Sequence, residues 1–159
     1  NGYIVFQKKA VVVNLIGRTF IGNFDCPFRA MDDLLERLAG QYKIIIIDFH
    51  AEATSEKMAL GRYLDGRVSA VFGTHTHVGT IDSQILPQGT AYVTDIGMTG
   101  PVDSVIGDDA DAVIERFLSM IPKRLSVGKG KVLFTGILTE IDDATGKAVR
   151  IERISEEIV

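Results

Sequence analysis

Four consecutive isoleucines, Ile44 to Ile47, constrain this chain more than any other feature. A β-branched apolar run that does not alternate with polar residues fits a strand covered on both faces, as in a parallel sheet flanked by other layers. The run leads into Asp48-Phe49-His50, so the strand ends in polar, chemically useful side chains. Around it, strand and helix signals alternate. Tyr3 to Phe6 and Val11 to Ile16 read as a hairpin turning at Gln7-Lys8-Lys9. Phe28 to Leu38 places Met31, Leu34, Leu35 and Leu38 on one helical stripe, with Pro27 suited to the first helical position and Gly40 to the stop.

Thr54 to Leu64 reads as a second helix with Thr54 as N-cap and Glu56 in the first turn. Val68 to Phe72 and Thr90 to Ile96 read as further buried strands. A third helix is predicted from about Asp109 to Met120, with Val113, Ile114, Phe117, Leu118 and Ile121 facing inward. The tail differs in kind: Arg124 to Val127, Val132 to Ile141 and Ala148 to Ile154 read as an antiparallel β-meander. The expected architecture is α/β ending in that meander, in a single domain over residues 1–159.

The chain is 46% hydrophobic and 24% charged, a globular balance, and its length suffices to bury a core without disulfides. A formal net charge of −4 argues against a partner that is a nucleic-acid polymer, although a single nucleotide stays compatible if metal ions supply positive charge. Cys26 is the only cysteine, so no intrachain disulfide exists and a reducing, cytoplasmic setting is expected. No apolar run approaches the ~20 residues of a membrane span. The chain begins Asn1-Gly2-Tyr3, which fits a processed tag or a piece of a longer protein.

All three histidines, His50, His75 and His77, stand where a buried strand gives way to a loop. That edge of an α/β sheet is where ligands bind. In an extended backbone His75 and His77 project to the same side. Imidazole is a common ligand for zinc, iron and manganese-class ions, so the three are candidate metal ligands. A single strand-end histidine is more often a satisfied turn residue; the shared topological position of all three favours a metal site. Asp48 is a candidate acceptor behind a ligating ring, or a cap for loop amides. Thr74, Thr76 and Thr80 are candidate phosphate contacts or plain strand residues. Gly73 permits close approach, or simply ends the strand. Arg18 and Arg62 are candidate phosphate clamps or solvated surface arginines, and the loop Thr94 to Pro101 is a candidate wall of the same cleft.

Three blocks carry a resemblance: Asp48-Phe49-His50-Ala51-Glu52-Ala53-Thr54-Ser55-Glu56-Lys57, Gly73-Thr74-His75-Thr76-His77-Val78, and Thr94-Asp95-Ile96-Gly97-Met98-Thr99-Gly100-Pro101. Together with Asn14 to Phe20 and Val149 to Ile154 they resemble the YmdB-type branch of the calcineurin-like metallophosphoesterases over essentially the whole chain. The resemblance implies part of a four-layer α/β/β/α sandwich and a phosphodiesterase acting on 2′,3′-cyclic nucleotides, with other cyclic mononucleotides as further substrates. It implies two divalent or trivalent ions, iron or manganese being typical and zinc an alternative. Carried across by motif, His50 and His75 ligate one ion and His77 the other, while Thr76 and Arg18 are the candidate substrate contacts.

The family's N-terminal half, with its aspartate, bridging carboxylate, asparagine and leaving-group histidine, has no counterpart in these residues. The chain therefore resembles the C-terminal portion of a metallophosphoesterase domain, and no catalytic residue is expected within it. It is expected to self-associate as a homo-oligomer or to associate with the missing half, because half a sandwich leaves apolar surface uncovered. Two other readings stay open: a non-catalytic truncated module that binds itself or a partner, and a mononuclear zinc hydrolase with three histidines on one ion.

Overall fold

A computed structural model describes residues 2–158. Strands β1 (Tyr3–Phe6) and β2 (Ala10–Ile16) form the expected hairpin, with Tyr3 opposite Val13 and Phe6 opposite Ala10. Its tight turn puts Gln7 and Lys8 at φ 49° and 57°, left-handed conformations of the kind that fit a turn to the right-handed twist of hairpin strands. Helix α1 (Pro27–Leu38) starts on Pro27, and its chain leaves through Gly40 at φ 72°. Strand β3 (Ile44–His50), helix α2 (Thr54–Tyr63) and strand β4 (Ala70–Thr74) follow. The short strands β5 (Gln84–Ile85) and β6 (Ala91–Val93) complete a six-stranded sheet in the order β1-β2-β3-β4-β6-β5. Strands β2, β3, β4 and β6 run parallel, and β1 and β5 are antiparallel edges.

The order β2-β3-β4 advances across the sheet in one direction. Right-handed crossovers then put α1 and α2 on the same face. Met31, Leu34 and Leu38 of α1 and Leu60 and Leu64 of α2 pack there against Val11, Val13, Ile45, Ile47, Phe49 and Val71. A fully buried side chain of this kind contributes roughly 1.5–3 kcal/mol. The opposite face is covered more thinly. There Ile46 and Phe72 meet Ala70, Ala91, and Ala148 and Ile151 of strand β9 (Ala148–Ile158). The four isoleucines thus alternate after all: Ile45 and Ile47 are buried, Ile44 and Ile46 half-buried.

Strands β7 (Gly100–Pro101), β8 (Val132–Ile141) and β9 form a second, antiparallel sheet in that order. The β8–β9 hairpin turns at Asp142 to Gly146, where Asp142 Oδ1 accepts from Thr145 N at 2.7 Å. Several expectations need correction. Arg124 to Val127 forms no strand; only a single bridge joins Val127 to Asp108, and Gly100-Pro101 takes the place beside β8. Ala53, not Thr54, is the N-cap of α2, with no side-chain bond. Helix α3 (Ala110–Ser119) forms with Asp109 as N-cap, but of its predicted inward stripe only Val113 is buried. Ile114, Phe117, Leu118 and Ile121 face outward, because neither sheet lies across that side of the helix.

Candidate metal centre

Register brings the chemistry to one edge. Ile16 lies opposite His50 and His50 opposite Thr74, so the carboxyl ends of β2, β3 and β4 are level. Gly17 N donates to His50 O at 2.8 Å, which places the Gly17-Arg18-Thr19 loop beside the same edge. That loop is held from below by Glu56, whose buried carboxylate accepts from Arg18 N and Thr19 N at 3.1 Å each. Gly17 admits no side chain there, since a Cβ would lie 2.6 Å from both Ala51 Cβ and Glu56 Oε2.

His50 and His75 meet edge to face, with ring centroids 4.7 Å apart at 84° and His75 Nδ1 2.9 Å from His50 Nε2. The surrounding bonds assign their protons. Asn14 Nδ2 donates to Asp48 Oδ2 at 2.8 Å, and Thr74 Oγ1 gives its single proton to Asp48 Oδ1 at 2.8 Å. Thr74 Oγ1 must then accept from His50 Nδ1 at 3.3 Å, which leaves the lone pair on His50 Nε2. On the other ring, His75 Nε2 lies 2.8 Å from the Glu52 carboxylate and donates to it, leaving the lone pair on Nδ1. Two nitrogen lone pairs therefore face one another at 2.9 Å. That contact is stable only with a proton or a cation between them.

His77 is held differently. Its Nδ1 is 2.7 Å from Ile106 O, a carbonyl that can only accept, so Nδ1 donates and Nε2 keeps its lone pair. The Ile106 turn is fixed by Ser104 Oγ, which donates to Pro101 O at 2.7 Å and accepts from Gly107 N at 3.0 Å. The extended backbone expected for Gly73 to His77 is not found beyond β4. His75 and His77 stand at φ 109° and 66°, left-handed values that send the two rings to different partners. Among the described residues no three histidine, cysteine, aspartate or glutamate side chains converge closely enough to hold an ion. The structure brings His50 and His75 together and holds His77 apart.

Thr76, between the two rings, is committed to the protein. Its N–H and its hydroxyl both donate to Asp95 Oδ2, at 3.0 and 2.8 Å. Asp95 also accepts from Lys57 Nζ at 2.8 Å and, on Oδ1, from Gly97 N at 2.9 Å. Burial works to raise the Asp95 carboxyl, but the bonds from Lys57, Gly97 and Thr76 outweigh it and hold the group below the usual carboxylate range. Asp82 shows the same balance: burial pushes up, and bonds from Thr80 and Thr94 win. Next to it Tyr92, whose hydroxyl donates to Thr94 Oγ1 at 3.0 Å, is pushed up to about 12, mainly by burial. On the far side, the guanidinium of Arg153 on β9 donates to the carbonyls of Thr80, Asp95 and Ile96 at 2.6–2.9 Å.

Arg18 is exposed and lines an open surface cavity with Asp25, Cys26, Arg29 and Asp33. Arg62 sits at the far end of α2, about 12 Å along the helix from Thr54, and is not brought to the edge. Of the Thr94 to Pro101 loop, Gly97, Met98, Gly100 and Pro101 share a cavity of about 240 Å³ with His77, and neither His50 nor His75 lines it. Sequence pattern assigns no role to Glu52, Asn14, Lys57, Asp95 or Arg153, all of which the structure ties to this edge. One signal was available for Lys57, which falls on the Leu60–Leu64 stripe of α2 where an apolar residue belongs.

The fold and much of the sequence recur in known proteins. A family model described as "YmdB-like protein" matches residues 1–154. The chain belongs to the YmdB-like family. Among relatives, it is 55% identical over 147 residues to the 2′,3′-cyclic-nucleotide 2′-phosphodiesterase of Bacillus subtilis, covering 92% of this chain and 56% of that protein. It is 38% identical over 159 residues to a putative phosphatase/phosphodiesterase of Mycoplasma pneumoniae, covering 96% of this chain and 56% of the relative. Two crystal structures match with TM-scores of 0.90 over 98% of this chain. One is a hypothetical protein from Thermus thermophilus (42% identical, 62% of its chain covered). The other is a novel phosphatase from Mycoplasma pneumoniae (36% identical, 57% covered). The chain thus spans little more than half the length of these YmdB-like relatives.

Proposed function

We propose that this chain carries three metal ligands of a phosphodiesterase that hydrolyses 2′,3′-cyclic nucleotides at a dinuclear centre. His50 Nε2 and His75 Nδ1 take one ion and His77 Nε2 takes the other. Iron or manganese suits this nitrogen-containing shell, with zinc as the alternative. The observation that carries the reading is the pair of facing lone pairs. Two nitrogens bound to one ion at about 2.0–2.1 Å, at right angles, lie about 3 Å apart, close to the 2.9 Å found. Each ring also gives its other N–H to an oxygen: His50 to Thr74 and through it Asp48, His75 to Glu52, His77 to Ile106 O. That pattern behind the ligands is the usual mark of metal-bound histidine.

When bound, such ions supply Lewis acidity and charge for in-line attack on phosphorus. This chain's own residues aim three nitrogens, keep their tautomers fixed and line the His77 cavity with the Thr94 to Pro101 loop. Three histidines are too few for two ions, so in this reading the remaining ligands, and the acid for the leaving oxygen, come from outside residues 1–159. The chain would then be the C-terminal portion of a four-layer metallophosphoesterase domain. The fit to a mononuclear three-histidine zinc site is poor, since only two of the three rings share a corner. The 55% identity to a cyclic-nucleotide phosphodiesterase supports the substrate class, and we keep Arg18 as a phosphate contact on the strength of its place beside the edge. The exposed face of α3 supports association with the rest of the domain or with a second copy as a homo-oligomer. Among the described residues no helix is long and apolar enough to cross a membrane, and free Cys26 accords with a cytoplasmic setting.

The test is hydrolysis of 2′,3′-cyclic AMP by the full-length protein, with bound metals counted by elemental analysis. His75→Ala is expected to cut turnover by about three orders of magnitude or more and to lower the metal content, with the melting temperature little changed. Two ions per chain and hydrolysis lost on chelation would support the reading; full activity in the metal-free protein would end it.

A further inference from the structure

We propose that Asp95 is the positioning residue of the histidine loop: fixed by Lys57, its carboxylate clamps Thr76 and so sets the rings of His75 and His77. The inference rests on the metal reading above and extends it to residues that touch no ion.

Three observations converge on this carboxylate. The first is backbone strain. His75 and His77 both occupy left-handed conformations, at φ 109° and 66°, which non-glycine residues avoid unless surrounding contacts impose them. The only residue between them is Thr76, and both its polar donors end on one atom, Asp95 Oδ2. Without that atom nothing else within the loop holds Thr76, apart from contacts of 3.4 Å to the neighbouring Val78.

The second is the isolation of the ion pair. Lys57 and Asp95 side chains are each 1% exposed and 2.8 Å apart. A buried pair of this kind offers little net stability over apolar residues of the same size, so its presence in the core points to a role in geometry. Lys57 reaches Asp95 by running beneath β4, where a Cβ on Gly73 would lie 3.1 Å from Lys57 Cδ and only 1.7 Å from Thr94 O. Glycine at 73 thus lets helix α2, strand β4 and the Asp95 loop touch directly.

The third is that Asp95 is itself immobilised. Arg153 donates to the Asp95 and Ile96 carbonyls, Gly97 N donates to Oδ1, and Ile96 N donates to Gly73 O at 2.9 Å. A clamp transmits position only if it is fixed at its own base, and this one is fixed on both sides.

The experiment measures manganese affinity by calorimetry and amide hydrogen exchange of the 74–80 segment, in the full-length protein, for wild type, Asp95→Asn, Thr76→Val and Thr76→Ser. Asp95→Asn is expected to weaken manganese binding by about 10–100-fold. It should also speed exchange at Thr76 and His77 at least about tenfold in the metal-free protein. Thr76→Val should weaken binding by about tenfold, and Thr76→Ser, which keeps the hydroxyl, should restore it. The Thr76 variants carry the test if Asp95→Asn does not fold. Wild-type affinity and exchange in folded Asp95→Asn would overturn the inference, as would a Thr76→Val variant that raises KM for cyclic nucleotide with manganese affinity unchanged. A wild type that takes up no manganese, iron or zinc would end the metal reading, while the exchange rates would still decide whether Asp95 clamps the loop.

Discussion

Helices α2 and α3 are each ten residues long, and their fates are opposite. Helix α3 has the clearer apolar stripe, yet Phe117 and Leu118 are 73% and 83% exposed. Helix α2 carries two charged residues at its start, Glu56 and Lys57, and both are buried. The difference lies in what each helix lies against. A right-handed crossover between adjacent parallel strands presses α2 onto the sheet, so whatever faces inward is buried and must find a partner. Lys57 finds Asp95, and Glu56 finds the amides of Arg18 and Thr19. Helix α3 connects β7 to β8 outside the first sheet and is anchored chiefly by Val113. Amphipathic pattern tells which side of a helix seeks cover, and topology decides whether cover exists.

The contrast between the two helices should fail first, if it fails, at Lys57. Lys57→Met removes one partner of a buried pair and leaves Asp95 uncompensated, an expected loss of about 3–5 kcal/mol in urea unfolding. Leu60→Ala, on the same helix and fully buried, is expected to cost about 2–5 kcal/mol by leaving a cavity. A value near zero for either would mean that α2 is not the packed helix described. Acid sensitivity should follow from Asp95 and Asp82. Both carboxyls are depressed in the folded state, so their stabilisation is present above the unfolded value near pH 3.9 and is lost as pH falls through the lower folded values. Unfolding midpoints measured from pH 6 downward should therefore drop below about pH 4, less steeply in Asp82→Asn. At the other extreme, Leu118→Glu on α3 should change stability by no more than about 0.5 kcal/mol. Its effect should appear in sedimentation as reduced association, and a large loss of stability would show that this face is covered within the chain.

The position of the candidate site was legible in advance because strand ends have a local signature. The isoleucine run stops at Asp48-Phe49-His50, and β4 stops before His75, so the edge location followed from where apolar runs end. The pairing of His50 with His75 was not legible, since it depends on parallel register between segments 25 residues apart and on a left-handed turn at His75. The inference from H-x-H spacing failed for the same reason. Two-residue spacing puts side chains on one side only while the backbone stays extended, and here it does not. Asp95 was visible only as part of a glycine-containing loop; its role comes from Thr76 and Lys57, which reach it from two other elements.

Local pattern was enough to specify most of the periodic elements, the strand-end position of the histidines and the family, because each rests on residues contiguous in the chain. Three-dimensional packing was needed to settle which charges are buried, which rings share a corner and which apolar stripe stays bare. Those outcomes depend on long-range register and on the neighbours each face meets. Desolvation makes a charge such as Lys57 tolerable only where a partner such as Asp95 has already been put in place.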